Sequence, residues 1–317
     1  YFTDIPAGVY SMIVLFPIDE EMTVINHGAA DGPPNPPDFA ARGIKNRINR
    51  PFMPVLNFTS SYAAVVAVEQ IKRNNYKKVG FVNLAMIEAS FYKYVIENLS
   101  GVEIVEVTNM IDKVKAVKSL EEIAFIKKTV KIHDQLAEIM PLLIRPGRYE
   151  YEIRNEIIKM AADLGSEGQN IMIGSAADSP KNIRGFYQNR QIERGDKVNC
   201  LIEVNGPGGY YGELARTWCL SEPSKKVLDA YEAAMKVQRI VADRLKPGVN
   251  PAELYDLNNQ FLTENGYQPE KRIFGHGQGY DMVERPAFLP EETMILEENM
   301  LVAIHPKAVN QEVLGWC

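Results

Sequence analysis

Two of the four histidines in the chain stand in surroundings that suit chemistry. His276 lies between glycines in the segment from Phe274 to Tyr280, where small residues let the backbone come close to a ligand. His305 ends an apolar run before Pro306, so a satisfied core histidine is the alternative interpretation for it. Because imidazole titrates near neutral pH and also binds metals, both residues are candidates for proton transfer or metal ligation.

The other two histidines have simpler explanations. His133 lies inside a predicted helix, which indicates a partly exposed helical residue. His27 follows a strand-like run and precedes Gly28, as a polar turn residue would. We therefore expect neither residue in a site.

The elements that must position His276 and His305 form an internal repeat. Two predicted helices end in Pro-Gly pairs at Pro146 and Pro247, which are 101 residues apart, and the first helix begins with a capping box from Ser119 to Glu122. Each is followed by a second helix (Tyr149–Leu164 and Pro251–Asn265) and later by a strand (Gly195–Glu203 and Asn299–His305). A single pair of copies predicts two halves of one pseudo-symmetric domain, with a site between them.

The preceding residues alternate strand-like and helix-like runs, which is typical of an α/β domain. The predicted strands are Ser11–Phe16, Met22–Ile25, Phe52–Leu56, Lys78–Val82 and Val102–Val107, and the predicted helices are Tyr62–Arg73 and Met86–Leu99. The proline-rich segment Gly32–Pro37 predicts a loop. We place the domain boundary near Val117, which gives domains 1–117 and 118–317.

Composition excludes several classes of protein. The 317 residues are 46% hydrophobic and 24% charged, an ordinary balance for about two globular domains. The net charge of −6 offers no basic face for nucleic acid or an anionic membrane, and no apolar stretch is long enough to span a bilayer. Three cysteines are too few for a disulfide framework or a metal knuckle and favour a reducing cytoplasm.

Four motifs follow one another in an order that identifies a resemblance. They are Gly195-Asp196 before a strand, the segment Gly209–Thr217, the segment Gly275–Gly279 with Glu284–Pro286, and the segment Glu298–Pro306. This order resembles the creatinase/aminopeptidase P/methionine aminopeptidase family with its pita-bread fold, and the preceding domain is similar to the creatinase-type N-terminal domain. The resemblance implies an α/β N-terminal domain and an α+β pita-bread C-terminal domain with an internal pseudo-two-fold repeat.

Peptidase members of that family bind two divalent metals through two aspartates, one histidine and two glutamates. Two bridged cations hold and deprotonate a water while they polarise the scissile carbonyl. By the family's spacing, the histidine is His276, the second aspartate falls on Glu213, and one glutamate falls on His305. We expect the domain to be incomplete at its C-terminus, with the last glutamate beyond Cys317.

The first aspartate position falls on Leu201 or Ile202, and neither side chain can ligate a metal. Glu203 shares a strand face with Leu201, so a register shift could bring it in. If a metal such as Mn or Zn is bound, the resemblance therefore implies the ligands Glu213, His276, His305 and Glu203.

Two further histidines of the peptidases are also replaced, by Val283 and Arg184. The sequence therefore favours a hydrolase that acts on a C–N bond of a small substrate with a degenerate, metal-free site. The candidate catalytic residues are His276, Glu213, His305 and Arg216, and the candidate substrate-binding residues are Tyr211, Glu203 and Arg285. A salt bridge to Glu213 is the alternative role for Arg216.

Two other functions stay open at this point. One is a dinuclear metal-dependent Xaa-Pro aminopeptidase or dipeptidase, and the other is a non-catalytic binding module on the same fold. The expected partner is a small molecule or short peptide, with no nucleic acid and no membrane, and the resemblance implies a homodimer. In that dimer, the segments Gly32–Pro37 and Arg42–Arg50 are the candidates to reach the partner's cleft.

Overall fold

The computed structural model describes residues 2–3, 12–27, 43–51, 53, 55–177 and 190–317. The chain forms two compact units, residues 1–111 and 112–317. The division falls within a helix, Thr108–Ala116, that ends just before Val117. The domain assignments 1–117 and 118–317 stay a prediction.

The first unit is an α/β arrangement. Its strands are β1 (Met12–Leu15), β2 (Met22–His27), β3 (Ile44–Arg50), β4 (Lys78–Phe81) and β5 (Glu103–Glu106); its helices are α1 (Tyr62–Arg73) and α2 (Ala89–Asn98), with single 3₁₀ turns at Asn57–Thr59 and Leu84–Met86. Strand β2 pairs antiparallel with β1 and parallel with β3, whereas β4 and β5 pair parallel. The apolar face of α1, including Val68 and Ile71, packs with Phe91 and Val95 of α2 in the core of this unit.

One predicted strand of this unit is wrong. Among the described residues of Phe52–Leu56, Val55 lies in a turn and is exposed. Pro51 and Pro54 lack the amide N–H that a strand ladder needs, which explains why the apolar run does not pair. The strand is instead β3, and the loop predicted at Gly32–Pro37 lies outside the described residues.

The second unit repeats one order of elements. The helices are α3 (Thr108–Ala116), α4 (Leu120–Leu143), α5 (Glu150–Asp163), α6 (Lys225–Ala242) and α7 (Pro251–Glu264); the strands are β6 (Gln169–Ala176), β7 (Lys197–Asn205), β8 (Tyr211–Cys219), β9 (Gly275–Gly277), β10 (Glu284–Ala287), β11 (Val302–Ile304), β12 (Lys307–Val309) and β13 (Leu314–Trp316). Two helices and three strands, α4-α5-β6-β7-β8, are thus followed by α6-α7-β9-β10-β11. No helix in the described part of the chain is long and apolar enough to cross a bilayer.

The first half is built on β7. Its nine residues are all buried because β6 and β8 pair with it on both sides and the α4 and α5 helices cover it. Helix α4 begins with the predicted capping box, in which Ser119 and Glu122 satisfy each other's backbone amides. Leu136 and Met140 of α4 pack against Ile153 of α5 in this core.

The second half is built on the short strand β9, which lies between β10 and β11. Phe274 and Phe288 meet edge to face beside it, with ring centroids 5.7 Å apart, and both are fully buried. Helices α6 and α7 supply Val237 and Leu254 to the same core. Strands β12 and β13 form a separate antiparallel pair.

Strand β13 lies close against α6, and this contact gives a stability prediction. A β-carbon on Gly315 would stand 2.2 Å from the carbonyl carbon of Ala230, a backbone atom that cannot move without displacing the helix. We expect Gly315→Ala to lower the free energy of unfolding by about 1–3 kcal/mol, as overpacking does. Denaturant unfolding would measure it.

A matched variant separates this clash from backbone strain. A β-carbon on Gly266, where φ is +79°, would meet nothing within 4 Å. Gly266→Ala therefore has a conformational cost alone, about 1–2 kcal/mol. An unfolding free energy for Gly315→Ala equal to that of the wild type would contradict the close packing of β13.

Candidate active site

Three of the predicted residues come together in the second unit. Nε2 of His276 lies 3.3 Å from Oε2 of Glu213, and Nε2 of His305 lies 3.6 Å from Oε1 of the same carboxylate. The candidate ligand atoms of the three residues all lie within 4.8 Å of one another. The three side chains are largely shielded from solvent, so their mutual charges are only weakly screened.

Each residue of this group is positioned by a strand. Glu213 lies on β8 of the first half, His276 is the middle residue of β9, and His305 follows β11. His305 is also fixed by its own backbone, whose N–H donates to the carbonyl oxygen of Phe274 over 2.8 Å. The group therefore draws on both halves of the repeat.

The glycines beside His276 have a different role from the one the sequence suggests. A β-carbon on Gly277 would stand 2.3 Å from the carbonyl oxygen of Arg285, and one on Gly275 would stand 2.8 Å from the Phe288 ring. These glycines admit the neighbouring strand β10 and a core aromatic ring. The expectation that they make room for a ligand is not what the packing shows.

One hydrogen bond orients the His276 ring. Nδ1 of His276 lies 2.8 Å from the carbonyl oxygen of Gly277. A carbonyl oxygen can only accept, so Nδ1 carries a proton and Nε2 faces Glu213. Burial lowers the pKa of His276, but the contact with Glu213, the Gly277 bond and the charges of Glu213 and Glu203 outweigh burial and leave that pKa raised.

Glu213 is held as an anion. Burial raises its pKa, but the contact with His276 and the electrostatic effects of His305, His276 and Arg272 outweigh burial and leave the pKa of Glu213 lowered. Its Oε2 is nevertheless buried and accepts no hydrogen bond from the described residues.

Glu203 lies directly opposite Glu213 in the β7–β8 register. Nδ2 of Asn170 donates to its Oε2 over 2.6 Å. Burial, followed by the charge of Glu213, raises the pKa of Glu203 to about 7. The next two pairs along the strands are Ile202 with Leu214 and Leu201 with Ala215, so both positions that spacing assigns to an aspartate are apolar and Glu203 supplies the nearby carboxylate.

Stability should report this raised pKa. Glu203 has a pKa of about 7 in the folded protein against an ordinary value of 4.5, so the folded state binds more protons than the unfolded state between these values. The wild type therefore loses stability as the pH rises through that window. With divalent cations chelated, we expect Glu203→Gln to be about 1–3 kcal/mol more stable than the wild type at pH 8 and about equal at pH 5.

Denaturant unfolding at both pH values measures this difference, and the exposed Glu253→Gln serves as the matched control. A Glu203→Gln variant whose stability tracks that of the wild type at both pH values would show that Glu203 titrates normally.

His305 has an arginine behind it that the sequence analysis did not single out. Nη1 of Arg272 lies 3.0 Å from Nδ1 of His305, and Nη2 donates to the His305 carbonyl oxygen over 2.9 Å. Burial, together with the charges of Arg272 and His276, outweighs the attraction of Glu213 and lowers the pKa of His305 to about 4. His305 is therefore a neutral imidazole at physiological pH.

The structure does not bring Arg216 or Arg285 into this group. Arg216 is exposed on the opposite face of β8 from Glu213, because side chains alternate along a strand, and it donates to the carbonyl oxygen of Ala215 over 2.7 Å. Arg285 forms an ion pair with the buried carboxylate of Glu292. The salt bridge proposed between Arg216 and Glu213 is replaced by the two histidine contacts.

The two adjacent tyrosines divide their roles. Tyr210 packs between Phe125 and Tyr280, with ring centroids 6.1 and 5.7 Å away. Tyr211 is half-buried, and burial with the charges of Asp281, Glu203 and Glu167 raises its pKa. Tyr211 therefore stands in the electrostatic neighbourhood of Glu203.

The remaining positions named in the sequence analysis are not part of the group of Glu213, His276 and His305. His133 is buried rather than partly exposed, with Nδ1 2.9 Å from the carbonyl oxygen of Thr129 and its ring against Gly212 of β8. It thus supports the strand that carries Glu213. Val283 is exposed, and Arg184 lies outside the described residues.

The chain matches a family of metallopeptidases and individual peptidases of known sequence. Residues 124–316 match the sequence profile of metallopeptidase family M24. The chain is 25% identical over 232 residues to the uncharacterized peptidase YqhT of Bacillus subtilis, a match that covers 73% of this chain and 65% of YqhT. It is 26% identical over 251 residues to the Xaa-Pro dipeptidase of Pyrococcus horikoshii, covering 76% of this chain and 71% of that protein.

Solved structures show the same fold. An Xaa-Pro dipeptidase from Bacillus anthracis superposes with a TM-score of 0.76 at 22% identity, covering 98% of this chain and 82% of that one. A prolidase from Thermococcus sibiricus superposes with a TM-score of 0.79 at 18% identity, covering 98% and 82%. These likenesses confirm the predicted pita-bread fold. The chain spans slightly less than two thirds of YqhT, so activity is not carried over from the relatives by similarity alone.

Proposed function

Because the chain belongs to metallopeptidase family M24, we propose that it hydrolyses the amide bond of a short peptide, with Xaa-Pro dipeptides as the first substrate class. The observation that carries this proposal is the buried group of Glu213, His276 and His305, gathered from both halves of the fold, with Glu203 opposite Glu213. The curated relative from Pyrococcus horikoshii is named for Xaa-Pro dipeptide hydrolysis, which supports the choice of substrate.

A divalent cation fits part of this group. Oε2 of Glu213 is a buried carboxylate oxygen without a hydrogen bond from the described residues, and Nε2 of His276 faces it while Nδ1 is bound to a carbonyl. A histidine whose other nitrogen donates to a carbonyl is the usual arrangement of a metal ligand. Glu213 and His276 would therefore hold an ion such as Mn²⁺ or Zn²⁺, with Glu203 as the nearby carboxylate. A bound cation would polarise the scissile carbonyl and lower the pKa of water.

Glu203 is the group suited to move the proton. A general base works best when its pKa lies near the operating pH, and the pKa of Glu203 is about 7. Glu203 would accept a proton from the attacking water and return it to the leaving amine. Asn170 holds the carboxylate in place through Oε2 during both transfers.

A second candidate function is hydrolysis of a non-peptide C–N bond without a metal. The apolar residues Leu201 and Ile202 favour it, since the resemblance to metal-binding members expects a further carboxylate at one of these two strand positions. In that case His276 and Glu203 would share the proton transfers.

The test is an assay of chelated protein before and after addition of Mn²⁺ or Zn²⁺. We expect cation-dependent cleavage of Xaa-Pro dipeptides and none by Glu213→Gln. Failure to cleave any Xaa-Pro dipeptide with either cation would contradict the proposed peptidase activity. Turnover of an amidino or ureido compound by the chelated protein would favour the second candidate, and tight binding without turnover would indicate a binding module.

The predicted homodimer and cytoplasmic location also stay proposals. Of the segments expected to reach the partner, Gly32–Pro37 lies outside the described residues, whereas residues 44–50 form strand β3. Sedimentation of the purified protein as a monomer at micromolar concentration would contradict the dimer.

A further inference from the structure

We propose that Arg272 fixes His305 in the tautomer that carries its proton on Nε2, so that His305 presents an N–H to Glu213 and is not a metal ligand. This tautomer belongs to the resting protein and does not depend on which substrate is found. It divides the three-residue group into one ligand-type histidine and one donor histidine.

The contact between Arg272 and His305 determines the proton's position. Nη1 of Arg272 lies 3.0 Å from Nδ1 of His305. A guanidinium has donors only, so Nδ1 must accept, and the proton of the neutral ring then sits on Nε2. Turning the ring over would place a carbon atom against Nη1 and lose this bond.

Further contacts fix the orientation of the Arg272 guanidinium. Nη2 donates to the carbonyl oxygen of His305 over 2.9 Å, so the planar guanidinium contacts both the ring and the backbone of His305. On its other side, Nε of Arg272 lies 3.0 Å from a carboxylate oxygen of Glu270, whose side chain is largely buried. Glu270 also accepts from the backbone N–H of Lys271 and of Arg272, which fixes that carboxylate in turn.

The opposite end of the imidazole faces the carboxylate. Nε2 of His305 lies 3.6 Å from Oε1 of Glu213, which is too far for a hydrogen bond. The site is buried, so an N–H at this distance still attracts the carboxylate electrostatically. A cation at Glu213 would meet a hydrogen atom on this side, not a lone pair.

His276 has the reverse arrangement. Its Nδ1 proton is held by the Gly277 carbonyl, so Nε2 is the nitrogen that offers a lone pair to a cation once any proton on Nε2 is released. Of the three residues that lie within ligand distance of one another, only Glu213 and His276 are therefore arranged to ligate a shared cation. His305 instead adds a fixed donor next to Glu213.

Nuclear magnetic resonance of protein labelled with ¹⁵N in its histidine rings tests the tautomers directly. Long-range ¹H–¹⁵N spectra distinguish a protonated ring nitrogen from a bare one, and single replacements of the four histidines assign the signals. After chelation we expect protonated Nε2 and bare Nδ1 for His305. On titration with Zn²⁺, we expect the His276 ring signals to shift and His305 to keep its Nε2 proton.

A His305 ring protonated on Nδ1, or one that loses its Nε2 proton to Zn²⁺, would overturn the proposal. Neither reading involves turnover, so a failed peptidase assay leaves this test intact. The wild-type spectrum alone decides the tautomer, whether or not any Arg272 variant folds.

Arg272→Met then tests the arginine's part. Without the donor, His305 is expected to shift toward the Nδ1 tautomer and to become available as a ligand, which raises Zn²⁺ affinity by about 10-fold or more, the scale of residues that support metal ligands. Arg148→Met removes an arginine that pairs with Glu156 on α5 and is the matched control. Unchanged tautomer and affinity in Arg272→Met would show that Arg272 does not set the proton's position.

Discussion

Turnover by the His276→Ala variant is expected to fall about 10²-fold or more, on the scale of general acid–base contributions. The variant loses the nitrogen that lies 3.3 Å from Oε2 of Glu213 and the group that helps to keep the pKa of that carboxylate low. The melting temperature should change by only a few degrees, because the loss of one hydrogen bond costs about 1–2 kcal/mol in a unit of this size. Steady-state kinetics on the peptide that the wild type cleaves, with a thermal melt, measures both.

His27→Ala, in the first unit, is the control and should retain wild-type kinetics. A His276→Ala variant with near-wild-type turnover, or one that simply unfolds, would reassign His276 to a structural role. Glu213 and His305 would then be the next residues to replace.

The second large effect is expected for Glu203→Gln, whose kcat should fall by about 10²–10⁴-fold. An amide of the same shape keeps the contact with Asn170 but cannot take a proton. In the wild type we expect kcat to rise with pH as the Glu203 carboxylate, the active form, is generated; the pKa of Glu203 is about 7 without a cation, and a bound cation would move the rise to lower pH. The residual activity of the variant should lack that rise.

The exposed Glu253→Gln should leave both kcat and its pH profile unchanged. If Glu203→Gln kept the wild-type kcat, or kept the rise with pH, proton transfer would have to be assigned to another group. A variant that changed KM alone would place Glu203 in substrate binding.

The architecture of the second unit was predictable because its signals are local. The capping box at Ser119, the Pro-Gly stops after the first helix of each half and the apolar spacing of the helices all lie within a few residues of the features they specify. The fold class and the family resemblance, which rest on such signals in order, are confirmed by the family match and the solved structures. The roles of His276, Glu213 and His305 stay predictions, although the structure places the three together.

What the sequence could not supply depends on register and on distant partners. Glu203 pairs with Glu213 because the turn between β7 and β8 sets the register of the two strands. The spacing of the family's motif does not specify the length of that turn in this chain, so it could not predict the pair. Arg272 contacts a residue 33 positions away, so nothing in its own neighbourhood marks it. Strand β3 was missed because only Ile44 and Ile48 of its seven residues are apolar, so no apolar run or alternation marks it.

The division of the site between two halves has a consequence for the order in which a growing chain acquires its charges. When β7 and β8 have been synthesised, Glu203 and Glu213 can already face each other, but the strands that carry His276 and His305 do not yet exist. Two carboxylates side by side without a positive neighbour cannot both ionise in a buried sheet. A closed hairpin in the nascent first half therefore favours a proton on one of them, and synthesis of the second half then adds His276 and Arg272, whose charges lower the pKa of Glu213.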